Sequence, residues 1–173
     1  MRPVQCTMLF LTLALFVCSG SALACVCVGE SRKLSKDEVK AAIVKEFNDA
    51  AMVFSAEVLT QDTFQVKFRT ITIWKGDAFQ QLTMSTGAKK MGEGLVRFSS
   101  CDYSFKIGEK YLVYARTTDD NELVARSCTR TRLLADGQPD IPELDVLNPR
   151  AYHAPTPEVT QLDMFPLGRN LTN

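Results

Sequence analysis

Cysteine is the residue type whose number and spacing carry the most chemical information in this sequence. Four cysteines follow residue 24, namely Cys25, Cys27, Cys101 and Cys128. An even number of cysteines in an exported chain indicates disulfide bonds. Cys25 and Cys27 are separated by one residue, so a bridge between them would close a very tight, strained ring. We therefore predict that each of the two is joined to one of Cys101 and Cys128, and both such pairings remain open at this point.

A four-cysteine zinc site is the alternative use of the same residues. The Cys25-x-Cys27 half has acceptable spacing for zinc, but Cys101 and Cys128 are too far apart along the chain for a usual zinc knuckle. His153 is the single histidine of the chain, which rules out a His-rich metal site and argues against a His-based catalytic triad. No nucleophile–base pair is evident in the sequence. We therefore predict a protein that is not an enzyme and has no catalytic residues, no cofactor and no intrinsic metal site.

The first 24 residues have the organisation of a secretory signal peptide. Arg2 precedes an apolar stretch over residues 8–17, and residues 22–24 (Ala-Leu-Ala) match the A-x-A pattern that signal peptidase cleaves. This predicts a signal peptide over residues 1–24, a mature chain that begins at Cys25, and a secreted, extracellular protein. The apolar stretch is too short for the alternative of a membrane-spanning anchor. A second alternative is a bacterial lipobox, in which case Cys25 is acylated and the protein is periplasmic or lipid-anchored.

Charge and composition argue against two classes of partner. The chain has 173 residues, with 20 Lys and Arg against 20 Asp and Glu, so its formal net charge is zero. A neutral chain gives no bulk neutralisation of phosphates, and a nucleic-acid partner is therefore not expected. Beyond the first two dozen residues, no apolar run approaches the roughly 20 residues that a transmembrane helix needs, so we expect no transmembrane span. The composition, 46% apolar and 23% charged, suits one globular domain with a real core.

Hydrophobic periodicity predicts one helix followed by a run of strands. A capping box from Ser35 to Glu38 starts a helix over residues 36–48. Alternating apolar residues predict strands over 51–59, 64–74, 80–86, 95–100, 109–117 and 122–128. A Gly-rich loop over 87–94 is predicted to join the third and fourth of these strands, and a turn at 119–121 joins the last two.

One strand shows a change of phase that bears on the fold. Within 64–74 the apolar positions shift by one residue near Arg69-Thr70, which predicts a β-bulge that bends the strand. Small closed barrels use such bends. We therefore predict a mainly β fold, namely a five-stranded OB-like Greek-key barrel with one or two flanking helices. A β-sandwich is the alternative.

The sequence changes character after about residue 135, where six of the seven prolines lie. A short helix is predicted from Asp140 to Leu144, with Pro142 in its first turn. We place the end of the domain at residue 145. The prediction is thus a barrel domain over residues 25–145 and a Pro-containing C-terminal tail over residues 146–173.

Several of these features, taken in order, resemble a known family. They are the Cys25-Val26-Cys27 start of the mature chain, the helix 36–48, the Ile73-Trp74-Lys75-Gly76 strand end, the Gly108-x-x-Tyr111-Leu112-Val113-Tyr114-Ala115 stretch after Cys101, and Ser127-Cys128. The order is similar to that of the tissue inhibitors of metalloproteinases (TIMPs) and, more broadly, of the netrin-like (NTR) module, over about residues 25–145. The resemblance implies an OB barrel and the disulfide pairs Cys25–Cys101 and Cys27–Cys128.

The chain departs from the animal inhibitors in three respects. The cysteines of the third disulfide of their N-terminal domain are missing, and so is their six-cysteine C-terminal domain. Asp102 stands where many relatives have Gly. The chain therefore resembles a reduced, bacterial-type member of the family.

The resemblance implies inhibition of zinc metalloproteases, with such a protease as the partner and the inhibitor as a monomer. In the family, the amine and carbonyl of the N-terminal residue, here Cys25, chelate the catalytic zinc of the protease. Val26 is expected to enter an apolar primed-side pocket. The implied protease-contact ridge consists of Val26, Cys27, Val28, Ser99, Ser100 and Cys101. The alternative is a non-inhibitory netrin-like extracellular binding module, in which the two disulfides simply anchor the first segment of the chain.

The cysteine assignment predicts that the mature protein contains no free thiol. Thiol titration of the denatured, unreduced protein should find none, and intact-mass measurement should show a chain that begins at Cys25. Detection of two or more free thiols would contradict the assignment. A mass increase from acyl chains on Cys25 would support the lipobox alternative.

Overall fold

Helix α1 (Lys36–Asp49) begins at the predicted capping box. In the computed structural model, which describes residue 27 and residues 34–155, the Ser35 hydroxyl accepts a hydrogen bond from the Glu38 amide (3.3 Å). The Glu38 carboxylate accepts one in return from the Ser35 amide (2.8 Å). The predicted helix 36–48 is therefore confirmed, with one further residue at its end. The predicted signal peptide and residues 156–173 of the predicted tail lie outside the described residues.

The strands form one antiparallel sheet and a separate two-stranded ribbon. They are β1 (Met52–Gln61), β2 (Gln65–Lys75), β3 (Gln81–Ser85), β4 (Lys89–Lys90), β5 (Val96–Arg97), β6 (Lys110–Thr117), β7 (Leu123–Ala125), β8 (Arg132–Leu133) and β9 (Tyr152–His153). Two short helices, α2 (Leu134–Gly137) and α3 (Ile141–Leu147), follow β8. The strand order in the sheet is β3-β2-β1-β6-β7, with β8 also paired to β6 and β9 to β2.

The strand order is that of a Greek key. β1, β2 and β3 are successive neighbours, and β6 returns to pair with the other side of β1. Side chains from β1, β2, β3, β6 and β7 pack together on the inner face, so the sheet curls into a half-barrel. The predicted mainly β fold, with five principal strands and flanking helices, is confirmed. The alternative β-sandwich needs two sheets packed face to face, and the described residues instead form one curled seven-stranded sheet and the two-stranded ribbon.

The bend in the sheet arises from extra residues in β1 and β2. Opposite β1, the register of β2 skips Ile71 and then Trp74, and β1 itself has one extra residue, Leu59. Each extra residue is a bulge that increases the local twist. The bulge predicted near residues 69–70 is thus found at the next residue. Because of these shifts, Phe68 on the even phase and Ile73 on the odd phase both reach the inner core.

The inner core is built on a chain of aromatic rings in edge-to-face contact. The ring centroids of Phe54 and Phe68 lie 5.6 Å apart, and those of Phe68 and Phe105 lie 5.0 Å apart. Tyr111 continues the chain at 5.0 Å from Phe105. These rings come from different parts of the sequence, so they hold the curled sheet together across its inner face.

The outer face of the sheet is also apolar and is covered by helices. Ile43 of α1 and Leu144 of α3 pack in one cluster with Val53, Trp74 and Tyr114 of the sheet. β1 and β6 contribute residues to both the inner and the outer cluster. These two strands are therefore the centre of the fold.

The region between β3 and residue 101 differs from the prediction. β4 lies inside the predicted Gly-rich loop and pairs with β5, with Lys89 opposite Arg97, in a ribbon separate from the main sheet. The predicted strand 95–100 is thus reduced to two residues. Glu93 and Gly94 adopt positive φ values (61° and 78°) at the tip. The extent of the strand predicted over 95–100 was wrong, because its pairing partner β4 lies in a segment that the sequence predicts to be a loop. We refer to residues 89–98 as the 89–98 hairpin.

The end of the domain also differs from the sequence pattern. α3 runs through the predicted boundary at residue 145, and His153 of β9 pairs with Thr72 of β2, so part of the predicted tail belongs to the sheet. The Trp74 indole N–H donates to the Asp145 carboxylate (2.7 Å), and the Trp74 carbonyl accepts from the Asn148 side chain (2.7 Å). Because these contacts join residues that are far apart in the sequence, no local sequence pattern predicts them.

Asp140 lies where the sequence predicts the start of a helix, but its carboxylate does not cap α3. The side chain is fully buried and accepts hydrogen bonds from both Arg130 Nε (2.8 Å) and Arg130 Nη2 (2.6 Å). Arg132 Nη2 (2.8 Å) and the Tyr114 hydroxyl (3.2 Å) donate to the same carboxylate. Burial raises the pKa of the Tyr114 hydroxyl, so it stays a neutral donor. One carboxylate therefore joins β6, β8 and the start of α3.

Asp140→Asn should destabilise the fold strongly, because it leaves two guanidinium groups beside a buried neutral amide. The expected loss in the free energy of unfolding is about 3 kcal/mol, the lower end of the usual range for breaking a buried ion pair. Asp49→Asn is the matched control, since Asp49 forms exposed pairs with Lys45 and Arg116 and its loss should barely change the free energy of unfolding. Urea unfolding measures both, and equal losses would contradict the role given to Asp140.

Candidate functional site

Cys27 anchors the described part of the predicted contact ridge. It is bonded to Cys128 (S–S 2.10 Å, Cα–Cα 5.0 Å), which is the pair that the family resemblance implies. The Cys27 residue is exposed. Cys25, Val26 and Val28, the other predicted members of the N-terminal segment, lie outside the described residues.

Cys101 is a disulfide cysteine as well. Because Cys27 is bonded to Cys128, the partner of Cys101 lies outside the described residues. The pairing Cys25–Cys101 therefore stays a prediction. Cys101 is half-buried, whereas Ser99 and Ser100 beside it are exposed.

The segment after β7 brings the separate pieces of the ridge together. The Ser127 amide donates to the Cys101 carbonyl (2.8 Å), and the Ser127 hydroxyl donates to the Asp102 carbonyl (3.2 Å). Ser127 contacts the end of the segment 99–101, and the next residue, Cys128, is bonded to Cys27. The described ridge residues therefore lie close together in the fold, although they are far apart in the chain.

Asp102 fixes the conformation of the Ser99–Cys101 segment, and sequence reasoning missed this role. Its carboxylate accepts hydrogen bonds from the Ser99 amide (3.0 Å) and from Arg126 Nη1 (2.5 Å), and its side chain is only 11% exposed. Gly87 packs against this carboxylate so closely that a Cβ at position 87 would overlap it. The turn-forming run Ser-Ser-Cys-Asp was a usable local signal. The pairing with Arg126 depends on tertiary structure.

A cleft of about 480 Å³ is lined by Ser99 and Ser100 and by residues of the 89–98 hairpin. Three cations, Lys89, Arg97 and Arg126, line it together with the two serines. Lys89 is paired with Asp120, and Arg126 with Asp102. Among residues 34–155, Arg97 has no carboxylate within 4.0 Å, so the cleft carries an excess of positive charge. It can attract carboxylates on a partner.

The described residues hold neither a metal-binding cluster nor a membrane-spanning helix. Within this part of the chain, no group of three or more His, Cys, Asp and Glu side chains could hold a metal ion. None of the helices there is both long enough and apolar enough to cross a bilayer. The histidine, His153, makes a 3.2 Å contact between its Nδ1 and the Thr72 hydroxyl, in the β2–β9 pairing.

Asp102→Ala should loosen the exposed ridge segment. Loss of the charged hydrogen bonds to Ser99 and Arg126 is expected to reduce the free energy of unfolding by about 1.5–3 kcal/mol and to speed hydrogen exchange at the Ser99 amide. Asp120→Ala removes an ion pair whose carboxylate is 65% exposed, and it should cost less than about 1 kcal/mol. Unchanged exchange at Ser99 in the Asp102 variant would show that another contact holds the segment.

Comparison with known proteins gives no assignment for this chain. No protein-family model matches it, and no curated protein matches it. The cysteines, the predicted processing site and the geometry of the described ridge residues are therefore the basis for assigning a function.

Proposed function

We propose that the protein is a secreted inhibitor of zinc metalloproteases, in which the amine and carbonyl of Cys25 chelate the catalytic zinc of the target. The observation that carries the proposal is the anchoring of Cys27 to Cys128, next to the exposed Ser99–Ser100 surface. This disulfide holds the start of the predicted mature chain against a second, exposed segment.

The proposed chemistry needs only the N-terminal residue. A catalytic zinc keeps one coordination position open for water or substrate. The α-amine and the carbonyl oxygen of a single residue can occupy that region as a five-membered chelate and displace the water. The amine must be neutral to bind, and its reference pKa of about 7.7–8.0 makes loss of the proton inexpensive near neutral pH.

The main physical obstacle to such a mechanism is that chain termini fray. Cys27 is only two residues from Cys25, and an extended chain spans about 3.3–3.6 Å per residue. The Cys25 backbone is therefore held within about 7 Å of the anchored Cys27. This restriction exists before the protease binds, so less conformational entropy is lost on binding.

Selectivity is proposed to come from the residues around the chelate. Val26, which stands between the two cysteines in the sequence, would supply an apolar side chain for a primed-side pocket. Ser99 and Ser100 would contact the protease on the other side of the ridge, held in place by Asp102. The pairing Cys25–Cys101, if formed, would tie the terminal residue directly to that second segment.

The second candidate is a netrin-like extracellular binding module without inhibitory activity. The excess positive charge of the cleft beside Ser99 and Ser100 favours a partner whose surface carries carboxylates. Such a partner need not be a protease. The two candidates differ in one respect that can be tested, which is whether the free amine of Cys25 is needed.

Addition of one alanine before Cys25 tests the chelate. The addition converts the α-amine of Cys25 into a peptide nitrogen, which is a poor metal ligand, and leaves every cysteine in place. Inhibition should fall at least 100-fold, which is about 2.7 kcal/mol, with an unchanged melting temperature. The control is a protein with one alanine added after Asn173, which should inhibit as well as the unmodified protein.

Two outcomes would contradict this proposal in different ways. If the N-terminally extended protein inhibits a metalloprotease as well as the native protein, the amine is not the zinc ligand. If neither form inhibits any metalloprotease in a panel of catalytic domains, the binding-module candidate replaces the inhibitor.

A further inference from the structure

Two like charges face each other in the 89–98 hairpin. Lys89 of β4 and Arg97 of β5 are direct cross-strand partners, and both side chains line the cleft beside Ser99 and Ser100. Like charges directly opposite each other in an antiparallel pair are destabilising. The ribbon has only two residue pairs, so one of them opposes the formation of the hairpin. Local conflicts of this kind are expected where residues serve binding and not stability.

The nearby carboxylates neutralise the cleft only in part. Lys89 is paired with Asp120, and Arg126 is paired with Asp102. Arg97 is exposed and has no carboxylate within 4.0 Å in the part of the chain that the structure describes. Among the described residues, those that line the cleft include three cations and two serines but no acidic side chain. The cleft therefore keeps one positive charge that a bound anion could neutralise.

One side of the cleft is fixed before any ligand arrives. Arg126 Nη1 donates to the Asp102 carboxylate (2.5 Å), whose side chain is only 11% exposed, so the guanidinium is held in place. The Ser99 hydroxyl accepts a hydrogen bond from the Cys101 amide (3.2 Å), which leaves the hydroxyl hydrogen available for donation. Donors that are already positioned lose less conformational entropy when a ligand binds.

The chemistry of these side chains selects an oxyanion with more than two oxygens. A guanidinium presents a planar fork of N–H donors that matches two oxygens of a carboxylate or a phosphate. A phosphate group offers three acceptor oxygens and close to two negative charges at neutral pH. It can therefore engage Arg97 and still present an oxygen to Lys89 or Arg126. A carboxylate has two oxygens, and a single guanidinium already occupies both.

The cleft has room for more than the anion itself. Its volume, about 480 Å³, lies within the range of roughly 300–1,000 Å³ that is usual for small-molecule sites. Phe98, which is 67% exposed, also lines it. An organic group attached to the phosphate could pack against this ring while the oxygens face the cations.

We infer that this cleft is a phosphate-binding site, in which Arg97, Lys89 and Arg126 bind the oxygens of a phosphate group. The group arrives either as the free anion or as part of a small organic monoester. Because Lys89 and Arg97 belong to the hairpin and Arg126 follows β7, a bound phosphate joins the hairpin to the sheet. The inference does not depend on the zinc chelate, since none of these three residues belongs to the N-terminal segment.

Titration of the mature protein with inorganic phosphate, phenyl phosphate and acetate tests the site. Each anion replaces chloride at constant ionic strength, because exposed charges are screened by salt, and amide NMR shifts report binding. Inorganic phosphate should give saturable shifts at residues 97–100, and acetate should bind more weakly. Phosphate should also slow hydrogen exchange at the Met91 amide, which donates to the Leu95 carbonyl (2.7 Å) within the hairpin.

Three variants assign the effect to the cleft. Arg97→Gln should weaken phosphate binding by about 10-fold or more, as expected for loss of charged hydrogen bonds. Arg150→Gln is the matched control, because Arg150 is exposed beyond the end of α3 and also has no carboxylate within 4.0 Å in the described residues. It makes the same change in net charge and should bind phosphate like the unmodified protein. Asp120→Asn should act in the opposite direction and tighten binding by up to about 5-fold, since it releases Lys89 from an exposed pair.

Each result decides the inference. Absence of saturable shifts with both phosphate probes, or equal weakening in Arg97→Gln and Arg150→Gln, would overturn it. Acetate that binds as tightly as inorganic phosphate would replace the phosphate site by a carboxylate site. If phenyl phosphate binds more tightly than inorganic phosphate and Phe98→Ser removes the difference, the ligand is an organic monoester. Equal binding of the two supports the free anion.

The test also separates this site from the proposed inhibition. The protein with an alanine before Cys25 should bind phosphate as the unmodified protein does, whatever its effect on a metalloprotease. The replaced side chains are exposed, so melting temperatures in phosphate-free buffer should be equal for all variants. Equal melting temperatures verify that a weaker titration reflects lost binding and not a damaged fold.

Discussion

The structure depends on the burial of both faces of β1 and β6. Val53, Leu112 and Tyr114 are fully buried on the outer face, while Phe54 and Val113 are fully buried on the inner face. A sheet with two apolar faces must be covered twice. Curling of the sheet closes the inner face, and α1 and α3 cover the outer one. The hydroxyl of Tyr114 then needs a buried acceptor, and Asp140 meets that need together with the arginines that neutralise it.

The features that can be predicted from the sequence are those that depend on residues close together in the chain. The Ser35–Glu38 capping box, the alternation in β1 and the phase change in β2 are all local, and each predicted its element to within one or two residues. The pairing within the 89–98 hairpin was missed because β4 consists of two lysines with no alternation, in a segment that the sequence predicts to be a loop. The attachment of β9 was hidden for a different reason, since its partners lie some 80 residues earlier in the chain.

The candidate site shows the same division. The four cysteines are evident in the sequence, and the one-residue separation of Cys25 and Cys27 argues against a bridge between them. Asp102 could not be assigned a role, because its function depends on Arg126 and on the missing side chain at Gly87. The segments of the predicted ridge are thus held by the Cys27–Cys128 disulfide, whose cysteines are evident in the sequence, and by the Asp102 carboxylate, whose role is not. Asp102 also forms an isolated β-bridge with Arg126, the residue after β7, so the short exposed segment is attached to the end of a strand of the sheet.

The position of β9 has a consequence for solubility. β3 pairs with β2 only over residues 65–69, and β9 pairs with residues 72–73 on the same side. The short C-terminal strand therefore occupies the part of the β2 edge that β3 leaves open, and the Ala154 amide extends the pairing to the Ile71 carbonyl (2.9 Å). A chain that ended after α3 would expose this backbone as a template for strand addition by another molecule. Proteolytic trimming of the C-terminus would thus expose an unpaired strand edge and favour aggregation, even though all fully buried core residues would remain in the chain.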